Sequence, residues 1–213
     1  MKWNSFKRPG IAGTVTDREI GLITPEVLHA VDLIEVRVDL LSDRSDENLV
    51  KLLEELSQKG KPLIVTVRSV EEGSPVNLDD AERLKLYEAA SFHATVLDTE
   101  IHADIFHEVY VIARDKNRLL IGSYHNFDIT PPEDDLIRIV ERGYSYGANI
   151  VKVATRINRP EDMRTLAGLC VRFSLNGIVV VGMGEGALPS RVFFPMIGSL
   201  FSFGSIGEPK APG

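Results

Sequence analysis

Cysteine is almost missing from this sequence: Cys170 is the only one. No internal disulfide can form, which suits a reducing compartment, and a cytoplasmic protein is the expectation. Cys170 lies in the apolar run of residues 166–171, where a cysteine acts as a small buried hydrophobe. Long hydrophobic runs are missing too. None approaches the ~20 residues needed to cross a bilayer. Residues 1–10 carry positive charge without an apolar stretch behind them, so no signal peptide is expected there. There is no long basic run, and the formal net charge is -7, which argues against nucleic-acid and anionic-membrane partners. The histidines lack the spacing of a metal site, and no metal is expected. Low-complexity tracts and composition breaks are absent, so residues 1–213 are read as one domain. A hydrophobic content of 44% is enough for a substantial core.

What is present is a recurring pair of patterns. β-rich runs fall at residues 11–16, 33–38, 63–68, 95–100, 119–125, 150–154, 177–183 and 200–205. Amphipathic segments stand between them. Residues 46–59 place Leu49, Leu52, Leu53 and Leu56 on one face and stop at Gly60. Residues 79–92 repeat the pattern through Leu84, Tyr87, Ala90 and Ser91, and residues 133–141 through Leu136, Ile137 and Val140. Pro160 marks the start of a further helix that runs through residues 163–173. Strand–helix alternation of this kind specifies a parallel α/β sheet. About 27 residues per unit suits a compact (β/α)8 TIM barrel. An open doubly wound sheet is the competing arrangement, but no Gly-x-Gly-x-x-Gly turn follows the first strand.

Lys152 stands in the middle of the sixth run. Alternation puts Ile150, Lys152 and Ala154 on one face and Val151 and Val153 on the other. A lysine in a strand covered on both faces loses water, and desolvation favours the uncharged, nucleophilic amine. Taken alone, such a lysine is read more simply as a structural, paired residue. Its company on the other strands changes that. Glu35 and Arg37 share one parity of the second run, Thr66 and Arg68 of the third, Asp98 and Glu100 of the fourth, and Ser123 and His125 of the fifth. The opposite parity is apolar, as packing on helices requires. A ring of polar groups near the C-terminal ends of barrel strands is where active sites form. Lysine with histidine points to Schiff-base chemistry, with the imidazole moving protons. Glu35, Asp98 and Glu100 can orient His125 or balance Arg37, Arg68 and Lys152. Arg191, at the start of the helix after the seventh run, suits a carboxylate. His29, His93, His102 and His107 are read as packing or surface residues.

These residues, in this order, resemble the type I 3-dehydroquinate dehydratases. The markers are Glu35-Val36-Arg37, Arg68-Ser69 through Gly73, Asp98-Thr99-Glu100, Ser123 through Phe127 with Thr130-Pro131, Lys152, Met183, Ser190-Arg191 and Ala211-Pro212-Gly213. The resemblance implies a (β/α)8 barrel that converts 3-dehydroquinate to 3-dehydroshikimate in the shikimate pathway, as a homodimer without a cofactor. Lys152 would form an imine with the C3 ketone. His125 would take a C2 proton and return it to the departing C1 hydroxyl, with Glu100 or Asp98 orienting it. Glu35, Arg37, Arg68 and Glu72 would hold ring hydroxyls, Met183 would line the site, and Arg191 would take the carboxylate. The family's lid commonly reads Ser-Ala-Pro-Gly-Gln. Here Lys210 stands at the serine position, and it is carried over as a substrate-binding position. The family's last barrel helix is not supplied by residues up to Gly213, and Val181 replaces a frequent second methionine. Two other readings share the same lysine: an aldolase-type Schiff-base barrel, and a non-catalytic barrel that binds quinate-like acids.

Overall fold

The structure, a computed structural model, describes Phe6 and residues 9–208. Its strands are β1 (Gly10–Val15), β2 (Leu33–Arg37), β3 (Leu63–Thr66), β4 (Val96–Glu100), β5 (Leu119–Asn126), β6 (Ile150–Arg156), β7 (Ile178–Met183) and β8 (Phe201–Ser205). They form one eight-stranded sheet in the order β7-β6-β5-β4-β3-β2-β1-β8, and every described pairing is parallel. The sheet curls until β8 meets β7. There the seam is joined by Leu200 N–H donating to the Ile178 carbonyl at 2.8 Å and Val180 N–H donating to Ser199 Oγ at 3.0 Å. This is the (β/α)8 barrel, nearly closed.

The helices are α1 (Pro25–Ala30), α2 (Asp46–Ser57), α3 (Asp80–Ala90), α4 (Phe106–Asp115), α5 (Glu133–Ser145), α6 (Pro160–Arg172) and α7 (Leu188–Ile197). Their starts follow local chemistry. Asp79 caps α3 and receives the Glu82 N–H at 2.8 Å, while Glu82 reaches back to the Asp79 N–H at 2.9 Å. Pro160 opens α6, where its missing N–H is not needed. Among the described residues, no helix follows β8. Strand boundaries read from sequence are within two residues of those observed. Two helices escaped the pattern reading. α1 is short, and α4 contains Val109-Tyr110-Val111-Ile112, whose β-branched residues look like a strand. The buried face of α3 also differs from the expected one: it is Arg83, Leu86, Tyr87 and Ala90, with Leu84 only partly buried.

Strand parity divides the core in two. One cluster lies between sheet and helices and includes Val36, Val65, Leu97, Val151 and Val153. The other fills the barrel and includes Leu33, Ile64, Val96, Ile121, Ile150 and Val179. Phe6 belongs to the inner cluster and meets Phe201 edge-on, with ring centroids 6.2 Å apart. Above this apolar floor, the same inward parity carries Glu35, Arg37, Thr66, Asp98, Ser123 and Lys152, all buried. Leaving such groups in an apolar interior would be costly unless they were paired. They are paired, and the pairing defines the site.

Candidate active site

A cavity of about 140 Å³ opens at the C-terminal ends of the strands. Glu35, Arg37, Arg68, Glu72, His125, Lys152, Met183 and Arg191 all line it. Lys152 on β6 and Ser123 on β5 are register partners, so His125 stands one inward position further along β5. Lys152 Nζ donates to Asp98 Oδ2 at 2.7 Å and lies 4.8 Å from the centre of the Phe203 ring. The lysine is therefore paired with a buried carboxylate beneath an aromatic face, rather than isolated in apolar surroundings. Asp98 Oδ1 accepts from Arg68 Nη2 and from Ser123 Oγ, each at 2.8 Å. Burial pushes the Asp98 carboxyl up, but Lys152 and Arg68, aided by hydrogen bonds from Lys152 and Ser123, outweigh it and hold it at about 2.

Glu100 lies two residues further along the same strand, at its C-terminal end. Its Oε1 accepts from Arg68 Nη1 and from the Ser69 N–H, both at 2.9 Å, and its Oε2 accepts from Arg83. Neither Asp98 nor Glu100 lines the cavity; both stand behind Arg68 and Lys152. This corrects one expectation. The histidine's carboxylate partner is Glu72, not Glu100 or Asp98. Glu72 Oε2 lies 2.8 Å from His125 Nδ1 and accepts the His125 backbone N–H at 2.9 Å. The reason is topological. Glu72 rides on the 3-10 turn Val70–Glu72 after β3, which folds over the mouth toward β5, while Asp98 and Glu100 are drawn to the buried cations. Gly73 closes that turn at φ 100°, and a Cβ there would sit 2.6 Å from the Phe127 ring. Phe127 in turn stacks on His125, with the rings 13° from parallel. Glycine is thus required both by the backbone and by the close approach of the ring.

Burial raises the Glu72 carboxyl to about 8, with Glu100 and Asp98 adding to the rise and Arg68 and the His125 N–H opposing it. His125 is pushed well below its ordinary range by burial first, then by Arg68, Lys152 and Arg37. Glu35 is held on both sides: Thr14 donates to Oε2 at 2.7 Å and Thr66 to Oε1 at 2.9 Å. Arg191 on α7 lines the cavity and donates to the Phe203 carbonyl at 3.2 Å; burial lowers its pKa. Met183 and Val181 contribute apolar wall. Lys210 lies outside the described residues.

Sequence reasoning missed Asp39. It is fully buried and grips Arg37 through Nε at 3.0 Å and Nη2 at 2.7 Å, leaving the rest of that guanidinium for the cavity. Its position two residues after Arg37 was a usable signal. Phe203 and Arg83 were missed as well. Arg83 carried no signal, because an arginine on an amphipathic helix ordinarily faces water. Cys170 is buried as expected, and burial pushes its thiol to about 12. No helix among the described residues is long and apolar enough to cross a membrane.

A family model described as type I 3-dehydroquinase matches residues 15–213. The chain belongs to that family. Among curated relatives, the 3-dehydroquinate dehydratase of Thermodesulfovibrio yellowstonii is 35% identical over 206 residues, covering 96% of this chain and 89% of that protein. That of Pyrococcus abyssi is 36% identical over 183 residues, covering 85% and 81%. Among solved structures, the 3-dehydroquinate dehydratase of Geobacillus kaustophilus superposes with a TM-score of 0.87 at 27% identity, covering 97% of this chain and 86% of that one. The type I enzyme from Clostridium difficile, described as carrying covalently modified comenic acid, gives 0.86 at 25% identity, with coverage of 97% and 86%. As a type I 3-dehydroquinase the chain is a hydro-lyase, and its barrel is the barrel of its structural relatives.

Proposed function

We propose that this chain dehydrates 3-dehydroquinate to 3-dehydroshikimate through an imine at Lys152, the dehydration step of the shikimate pathway. The observation that carries the reading is that Lys152 and His125, each with its own buried carboxylate partner, open into one cavity. The Lys152 ammonium must first lose its proton. The amine then adds to the C3 ketone and water leaves, giving an iminium. His125 takes a proton from C2, and the C–H electron pair moves into the iminium as an enamine. The enamine expels the C1 hydroxyl as His125 returns the proton, and water is lost. Hydrolysis of the remaining imine frees the product and the lysine. The iminium is the electron sink, so the scheme calls on no cofactor. Glu35, held by two threonines, accepts from ring hydroxyls, Arg37 and Arg68 donate to them, and Arg191 takes the carboxylate. Lys210 belongs to the same proposal as a substrate contact from the C-terminal segment, and a cytoplasmic homodimer is the working form. The covalent comenic acid of the Clostridium difficile relative supports covalent chemistry in a site of this kind.

The test is borohydride trapping with 3-dehydroquinate, followed by peptide mapping, alongside the absorbance of dehydroshikimate. A reduced adduct on Lys152 together with turnover is expected. Tight binding without adduct or turnover would instead favour the non-catalytic barrel, and adducts with sugar phosphates only would favour the aldolase type.

Two predictions follow from the histidine pair. While Glu72 is protonated it donates to His125 Nδ1, which leaves the imidazole hydrogen on Nε2 and no base facing the substrate. As Glu72 loses that proton, Nδ1–H donates to it and Nε2 becomes a base. In the free enzyme kcat/KM should therefore rise with pH through about 8 and flatten above it. A profile flat from pH 6 to 9 would remove Glu72 from the proton inventory. His125→Ala should slow turnover by roughly 10²–10⁴-fold while still permitting imine formation. Unchanged turnover in that variant would exclude His125 from the reaction.

A further inference from the structure

Arg83 is a buried cation that this reaction scheme leaves unused. It lies on α3, outside the barrel, only 3% exposed, and it does not line the cavity. Nε and Nη2 donate to the Val67 carbonyl at 3.2 and 3.0 Å, Nη2 also pairs with Glu100 Oε2, and Nη1 is 3.4 Å from Asp80 Oδ1. From Glu100 the pairing continues inward. Glu100 Oε1 holds Arg68, Arg68 holds Asp98, and Asp98 holds Lys152. Positive and negative groups alternate along this line, from the back of α3 to the nucleophile.

We infer that Arg83 is a positioning residue, which neutralises Glu100 from outside the barrel so that Arg68 remains on Asp98 and the Lys152 ammonium is not overheld by buried negative charge. The inference rests on Lys152 being the nucleophile. Its physical basis is the balance along the line, which has three cations and two carboxylates. Without Arg83, Glu100 has Arg68 as its one ion-pair partner among the described residues. Arg68 is then drawn toward Glu100, and Asp98 leans harder on Lys152. The amine needed for attack becomes harder to generate, because added negative charge favours the ammonium. Glu100 also bears on the histidine pair, since its charge already contributes to the rise at Glu72. The charged and titratable groups facing this line are Asp80 and Tyr87 from α3, Arg68 and Glu72 from β3 and the turn after it, Asp98 from β4, His125 from β5, Lys152 from β6, and Arg37 and Asp39 from β2 and the turn after it. Arg83 is the member of this set that balances Glu100 from the helix side.

The experiment is the pH dependence of borohydride-trapped imine, the step that needs the free Lys152 amine, for the parent, R83M, R83K and R83M/E100Q, with kcat measured alongside. In R83M the rising limb of trapped imine should move up by about one pH unit, the size Coulomb's law gives for one added unit charge roughly three ion-pair lengths away at an effective dielectric constant near 20. R83K keeps the charge and should keep the limb close to the parent's. E100Q placed in the R83M background removes the stranded carboxylate and should bring the limb back. A uniform loss of rate at every pH with the limb unmoved, or a limb in R83K shifted as far as in R83M, would overturn the inference and leave Arg83 a packing support. Should R83M not fold, R83M/E100Q decides: a parental limb supports the inference and a displaced one overturns it. Should the parent itself give neither adduct nor turnover, the reading of Lys152 fails first and takes this role with it.

Discussion

Replacing Lys152 with alanine should lower dehydration of 3-dehydroquinate by roughly 10⁴–10⁶-fold, the scale of removing a covalent nucleophile. Borohydride trapping should vanish with it. The fold should survive, for reasons visible in the charge network. Asp98 loses one partner but keeps Arg68 and Ser123, each at 2.8 Å, so its carboxylate is not stranded. Cavity-lining residues also contribute less to the core than the apolar floor beneath them, where Ile150 and Val179 are fully buried. Circular dichroism and a cooperative denaturation curve check folding in the same sample that is assayed. Full trapping in the folded variant would move the nucleophile to another residue and remove the basis of the proposed reaction.

Asp98→Asn should have the largest effect on stability, about 3–5 kcal/mol, the range for removing one partner of a buried charge cluster. Two buried cations, Arg68 and Lys152, would lose their shared counter-charge. The effect should depend on pH in one direction. Asp98 is held at about 2, below the ordinary value of 3.8, so its stabilisation is complete above about pH 4 and is lost as pH falls toward 2. The gap between parent and variant in urea denaturation should therefore narrow by about 2 kcal/mol over that interval. A second arm separates the pair from its surroundings. In the double variant with Lys152→Met, the total cost should be smaller than the sum of the two single costs, since neutralising the lysine removes part of the penalty. Strict additivity would show that Asp98 and Lys152 are not energetically coupled.

The barrel was legible because its signals are local. Alternation along Leu33–Arg37 and Ile150–Arg156 sorts side chains between two faces without reference to any other part of the chain. Glycine and proline punctuation at Gly60 and Pro160 then placed helix boundaries to within a few residues. The same alternation delivered the inward ring of Glu35, Arg37, Arg68, Asp98, His125 and Lys152 before any contact was known. α4 escaped because its β-branched core residues fit strand and helix equally well, and packing of Val109 and Ala113 against the sheet decided between them.

What the sequence determined by itself was therefore which residues face inward and in what order they meet the barrel mouth. Those are consequences of a two-residue period and of parallel strand order, and both are written along the chain. The tertiary structure decided who pairs with whom. Glu72 rather than Glu100 serves His125, Asp98 serves Lys152, Asp39 fixes Arg37, and an arginine from a helix outside the barrel reaches Glu100. Ion pairs and hydrogen bonds fall off within a few ångströms and strengthen with burial. Their partners are set by how turns and helices fold over the strand ends, which no periodicity along the chain encodes.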